Sequence, residues 1–280
     1  MTRDKDRKIK EKYGVETGYF EEGLPYACIG TKPTTIVNID GLSFSHEPPS
    51  GFVLKQFIKS SEPFTEDYSF YLVGRKPNLP EGYLFSEMAE DYARMIRREF
   101  RGPVHVIGVS TGGQLAHYLA ADHPDVVNKL VIISAAYRLS EEGVEIERRS
   151  AEYYMQGKYG KALAAIMDMM HPPGFKRRVI KLIIQLIGSR IIGHVEFPND
   201  LMIEVQADRE MDFRGRLGEI KAPTLIIAGE LDHGYSIEDV CETAKGIPNA
   251  RLITYKDYGH DLMMNNRKQV QNDILKFLES

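Results

Sequence analysis

The chain has 280 residues, 42% of them hydrophobic and 27% charged, with a formal net charge of −4. This length can bury a full core and fits one large α/β domain with room for an insertion, while the acidic balance argues against a general nucleic-acid binder. No run reaches the ~18 apolar residues of a membrane span, and the charge-rich residues 1–12 lack the apolar stretch of a signal peptide. The two cysteines, Cys28 and Cys241, have no metal or redox spacing. A reducing, cytoplasmic setting is therefore expected, with both cysteines as packing residues and a single disulfide left open.

In chain order, residues 1–12 read as a frayed or helical tail. Weak strand patterns at 19–20 and 27–29 precede a β-branched strand at 34–39, which ends in Asp40-Gly41-Leu42-Ser43. A short amphipathic helix follows at 51–60, then a strand at 68–73. A Pro/Gly-rich loop leads to Ser86, a candidate N-cap for a helix that places Met88, Tyr92, Met95, Ile96 and Phe100 at helical spacing. An apolar strand at 104–107, a helix at 111–121 and an apolar strand at 130–133 continue the alternation, which argues for a doubly wound, mostly parallel sheet. The rhythm stops after Ala136. Helical patterns at 144–170, 176–192 and 199–212 fill the gap, separated by His171-Pro172-Pro173-Gly174 and by residues 193–198. Strands at 224–228 and 251–255 and helices at 237–245 and 262–278 complete the chain. The expected division is a core of 1–137 and 217–280 interrupted by a helical cap at 138–216. An independently folding helical domain is the alternative.

Gly108-Val109-Ser110-Thr111-Gly112 stands between the 104–107 strand and the 111–121 helix. Strand, sharp turn and helix form the context of a nucleophile elbow, in which a strained serine projects its hydroxyl beyond the sheet. Nearly side-chain-free neighbours are needed two positions either side, and Gly108 and Gly112 supply them. The helix that follows directs its N–H groups at charge developing there.

A serine nucleophile needs a base and an orienting acid. Downstream, Gly229-Glu230-Leu231-Asp232 follows one strand and Asp257-Tyr258-Gly259-His260 follows the next. Parallel strands bring these loops and Ser110 to one edge of the sheet. His260 is the expected base and Asp232 the expected acid, with Glu230 as rival. His233 and His46 compete with His260, whereas His105, His117, His123, His171 and His194 read as structural or surface residues. The backbone N–H groups of Thr111 and Leu42 are the expected oxyanion donors. Metal-ligand spacing, phosphate loops and dinucleotide glycine patterns are absent, so neither metal nor cofactor is expected.

The stretch 106–113 around Ser110, together with Gly229-Glu230-Leu231-Asp232 and Gly259-His260, resembles the α/β-hydrolase superfamily in its esterase and lipase branch, over about 34–136 and 220–280. The resemblance implies an α/β-hydrolase fold with an inserted helical cap and a Ser-Asp-His triad. One departure is the oxyanion loop, which usually opens with His-Gly and here reads Asp40-Gly41. The expected activity is cleavage of a carboxylic ester or thioester with an apolar acyl part through an acyl-enzyme. An acyltransferase, a carbon–carbon bond hydrolase and a non-catalytic ligand receptor on the same fold remain alternatives. The expected partner is a small ester substrate, without nucleic acid or stable membrane insertion, and with a homodimer as a candidate state. The stretch 176–187 is basic at its start and apolar afterwards. It reads as a lid helix packed on the domain, with an acyl-channel wall and a membrane-surface helix as alternatives. Met167, Met169 and Met170 read as pocket or core filling.

Overall fold

The structure, a computed structural model, describes residues 2–193 and 195–280. It opens with α1 (Thr2–Tyr13), β1 (Glu16–Tyr19), β2 (Pro25–Ile29), β3 (Thr35–Ile39), α2 (Gly51–Ser61), β4 (Ser69–Val73) and α3 (Phe85–Glu99). Next come β5 (Val104–Val109), α4 (Thr111–Asp122) and β6 (Val127–Ile133), followed by an insertion of α5 (Glu141–Met155), α6 (Tyr159–Met170), α7 (Phe175–Ile192) and α8 (Asn199–Glu210). The chain closes with β7 (Thr224–Gly229), α9 (Ile237–Gly246), β8 (Ala250–Tyr255), α10 (Leu262–Asn265) and α11 (Arg267–Glu279). Among the described residues no helix is long and apolar enough to cross a membrane.

The eight strands form one sheet in the order β1-β2-β4-β3-β5-β6-β7-β8. The β1/β2 and β2/β4 pairs are antiparallel, and the rest are parallel. Helices cover both faces of the parallel part, so its strands are apolar without alternation. In β7 every residue is buried. The register aligns the carboxyl ends of the strands: Ile39 pairs with Gly108, Val109 with Ile133, and Gly229 with Tyr255. One edge of the sheet thus carries the loops after β3, β5, β7 and β8.

Several boundaries differ from the sequence patterns. The stretch 144–170 is two helices rather than one, because the chain turns at Gly157, whose φ of +70° a helix interior does not admit. The last helical pattern likewise divides into α10 and α11. The helix expected after Ser86 starts at Phe85, capped by the Glu87 carboxylate, whose Oε2 accepts the Leu84 N–H at 2.9 Å. The first strand lies at Glu16–Tyr19 rather than 19–20. Cys28 and Cys241 are both free thiols, so no disulfide joins them.

Candidate active site

Ser110 occupies the turn between β5 and α4 with φ +54° and ψ −127°, a conformation costly for a residue with a Cβ. The surroundings hold it there. Its N–H donates to Ile133 O at 2.9 Å, and its carbonyl accepts from Gly113 N at 2.7 Å. A Cβ at position 108 would lie 2.5 Å from the Gly112 carbonyl oxygen, and one at 112 would lie 2.3 Å from that of Asp40. Both glycines are therefore steric requirements of the turn.

The loops after β7 and β8 are pressed together. Glu230 N–H donates to Tyr255 O at 3.0 Å and Leu231 N–H to Tyr258 O at 2.9 Å. This contact sets Asp232 beside His260. The Asp232 carboxylate lies 2.9 Å from His260 Nδ1 through Oδ2, and its Oδ1 accepts the Gly234 N–H at 2.7 Å and the Tyr235 N–H at 3.2 Å. His260 Nε2 stands 3.0 Å from Ser110 Oγ. With Nδ1 protonated toward the carboxylate, Nε2 is free to accept the serine proton. Burial alone would lower the His260 pKa; Asp232, with Asp261 and Asp208 adding to it, outweighs that effect and raises it above the usual 6.5. The Tyr235 ring stacks on the imidazole with centroids 5.9 Å apart.

The rival residues are engaged elsewhere. Glu230 accepts from the Thr254 hydroxyl at 2.8 Å, and His233 Nδ1 is 3.1 Å from Glu142 of α5. Burial lowers His105 and His117 to about 4, so both are neutral. His123 faces Glu90 and His171 faces Asp261. His194 lies outside the described residues. Among the described residues no group of three His, Cys, Asp or Glu side chains could hold a metal ion.

Thr111 opens α4, so its N–H has no carbonyl one turn back to bind. The loop after β3 lies against the elbow: a Cβ on Gly41 would sit 3.6 Å from that of Ser110. Asp40 turns its carboxylate onto its own chain, where Oδ1 accepts the Gly41 N–H at 3.0 Å. Burial raises its pKa, and Arg75 pulls the other way.

Arg75 is the group that sequence reasoning missed. It follows β4, is 1% exposed, and donates through Nη1 to Asp40 O at 2.7 Å and to Gly41 O at 2.9 Å. Its Nη2 meets Glu204 of α8 at 3.2 Å. His46 bridges the same helix, with Nδ1 3.2 Å from Asp200 and Nε2 2.5 Å from Glu204. Farther along α8, Asp208 is buried beside the Thr111 hydroxyl, and Glu147 of α5 is buried close by. Burial raises Asp208 to about 7 and Glu147 well above the usual carboxylate range. The wall that the insertion sets against Thr111 therefore carries buried carboxyl groups. The signal available in the sequence was the i, i+4, i+8 spacing of Asp200, Glu204 and Asp208.

The alpha/beta hydrolase fold family model matches residues 41–266. Among curated relatives, a poly(3-hydroxyalkanoate) depolymerase of Ectopseudomonas oleovorans is 28% identical over 80% of this chain and 78% of its own length. The human monoacylglycerol lipase ABHD6 is 25% identical over 64% of this chain and 55% of its own length. Among solved structures, MGS-M2, an alpha/beta hydrolase enzyme from a Medee basin deep-sea metagenome library, superposes with a TM-score of 0.78 at 18% identity, covering 95% of this chain and 98% of that one. With its strand order and elbow already described, the chain belongs to the alpha/beta hydrolase fold family and is a hydrolase.

Proposed function

We propose that the protein is a serine hydrolase that cleaves a carboxylic ester or thioester through an acyl-enzyme. The observation that carries this reading is the unbroken hydrogen-bonded path from Asp232 through His260 to Ser110, at 2.9 and 3.0 Å. In this mechanism His260 accepts the Ser110 proton as Oγ attacks the carbonyl, and Asp232 holds the tautomer and stabilises the imidazolium. His260 then returns the proton to the leaving alcohol or thiol, and water attacks the acyl-enzyme by the same route.

Thr111 N–H and Leu42 N–H are the proposed oxyanion donors, each worth about 3–4 kcal/mol of barrier. Arg75 supports the choice of Leu42. In a trans peptide the carbonyl and the following N–H point in opposite directions. By holding Gly41 O, Arg75 fixes Leu42 N–H facing away from itself. Asp40 meanwhile occupies the Gly41 N–H and leaves that of Leu42 available.

In the same reading α5 to α8 form the cap over residues 138–216. An apolar acyl part is assigned to the side of Met169, Met170 and Phe175. These residues line a cavity of about 350 Å³ shared with Leu231 and Gly259, next to the loops of Asp232 and His260. The free thiols of Cys28 and Cys241 support a cytoplasmic setting.

A fluorophosphonate probe tests the proposal. It labels the wild type and not Ser110→Ala, and turnover of p-nitrophenyl esters vanishes with the labelling. His260→Ala lowers kcat by roughly 10²–10⁴-fold. Absence of both labelling and turnover in the wild type would overturn the assignment.

A further inference from the structure

α7 carries its apolar residues on the outside. Phe175, Val179, Leu182, Ile183, Leu186 and Ile191 are all exposed, with Phe175 at 83%, Leu186 at 76% and Leu182 at 59%. Phe175, Val179, Leu182, Ile183 and Leu186, at i, i+4, i+7, i+8 and i+11, lie along one side of the helix, and Ile191 at i+16 lies farther round it. The opposite side, with Gly188 and Ile192, is buried. A monomeric protein rarely shows solvent so continuous an apolar strip, and such a strip marks an interaction surface.

The charges on α7 identify the partner. The helix carries Lys176, Arg177, Arg178, Lys181 and Arg190 and no acidic residue, in a chain of net charge −4. Arg177 and Lys181 turn inward to Asp168 of α6, at 3.4 and 2.6 Å. Lys176, Arg178 and Arg190 have no ion-pair partner among the described residues. At 100° per residue Lys176 and Arg178 fall on either side of the apolar strip, and Arg190 falls within it. A self-complementary contact between two copies of this helix would oppose cation to cation without an acid to pair them.

We infer that α7 docks the protein on an anionic phospholipid surface, its apolar strip in the headgroup–acyl boundary and Lys176, Arg178 and Arg190 against the phosphates. Phe175 and Lys176 also line the cavity of about 350 Å³ beside Asp257 to Gly259. Docking there sets the opening next to His260 against lipid.

Vesicle co-sedimentation tests this without reference to catalysis. The probes are vesicles of phosphatidylcholine with 30% phosphatidylglycerol and vesicles of phosphatidylcholine alone. The wild type partitions onto the anionic vesicles at least tenfold more than onto the neutral ones, and 0.5 M salt reduces the difference. Leu182→Glu/Leu186→Glu loses this binding at least tenfold and keeps the wild-type Tm and turnover of a short soluble ester. Lys176→Gln/Arg178→Gln lowers binding to anionic vesicles only. Equal binding to both vesicle types, or binding to neither, overturns the inference. So does a wild-type dimer in light scattering that Leu182→Glu/Leu186→Glu dissociates, because a second copy then covers the strip. Loss of turnover in Ser110→Ala with vesicle binding intact separates the docking surface from the proposed chemistry.

Discussion

Two helices of the insertion invert the usual arrangement in opposite ways. α8 buries Asp200, Glu204 and Asp208 at no more than 4% exposure each, whereas α7 exposes Phe175, Leu182 and Leu186. A buried carboxylate is costly unless a charge or proton accompanies it. α8 meets that condition with Arg75, with His46, whose pKa is raised to about 9, and with protonation of Asp208 near 7. An exposed leucine costs much less, since water merely fails to be released from it. α8 is thus held to the core by charge, at the loop that carries Leu42, while α7 is held by its inner side alone. The comparison separates the anchoring part of the insertion from its docking part.

The largest expected effect tests the anchoring side. Arg75→Met leaves Asp208 buried without its cation and Glu204 with His46 alone, and destabilises the fold by roughly 3–5 kcal/mol. It also frees Asp40 O and Gly41 O, so kcat toward a p-nitrophenyl ester falls while KM stays near that of the wild type. Arg75→Lys restores charge but not the fork that reaches two carbonyls and a carboxylate, so it recovers stability more than kcat. By contrast Leu186→Glu on α7 changes unfolding free energy by no more than about 0.5 kcal/mol. Equal destabilisation by Arg75→Met and Leu186→Glu in urea titrations would erase the distinction.

The next effect is a loss of stability toward alkaline pH. His46 sits at about 9 when folded because Glu204 and Asp200 outweigh the lowering by burial. A raised folded pKa gives stability that is complete below the unfolded value of 6.5 and lost as pH rises through about 9. That rise corresponds to about 3 kcal/mol. Asp208 has the same sign: burial raises it, so its contribution is complete below 3.8 and lost as pH rises through about 7. Melting temperature therefore falls in two stages, the first between about pH 4 and 7 and the second between about pH 6.5 and 9. Asp208→Asn removes the first stage and His46→Gln the second, while Leu182→Glu on α7 leaves both. A flat melting temperature over this range would contradict the charged anchoring of α8.

The sequence shows one half of this contrast far better than the other. Sheet and elbow are legible because local chemistry dictates them: the apolar runs of β5, β6 and β7 suit strands covered on both sides, and Gly108 and Gly112 belong to a turn that excludes a Cβ. Ser110, Asp232 and His260 are readable because each follows a strand end. The insertion is less legible. An apolar helix has the same pattern whether protein or lipid covers it, so α7 reads as packed on the domain when its strip faces outward. Asp200, Glu204 and Asp208 share one side of a helix, as a solvated stripe would. Their burial depends on Arg75 and His46, more than a hundred positions away, and local pattern carries no trace of such pairing.

The smallest effect lies where the acidic wall meets the proposed catalytic path. In the proposed mechanism only neutral His260 accepts the Ser110 proton, so kcat/KM rises with pH through its ionisation, above 6.5. Asp232 leads the upward pull, followed by Asp261, and Asp208 adds a minor part through its negative charge. Asp208→Asn removes that part and moves the limb slightly to lower pH, without abolishing it. Asp232→Asn, which removes the main source, moves it further and lowers kcat as well. Leu186→Glu, remote from His260 on the outer side of α7, leaves the limb in place. The three profiles, measured between pH 5 and 8 with a soluble ester, rank the two carboxylates by their electrostatic hold on one imidazole. A wild-type rate independent of pH over that range would remove His260 as the base.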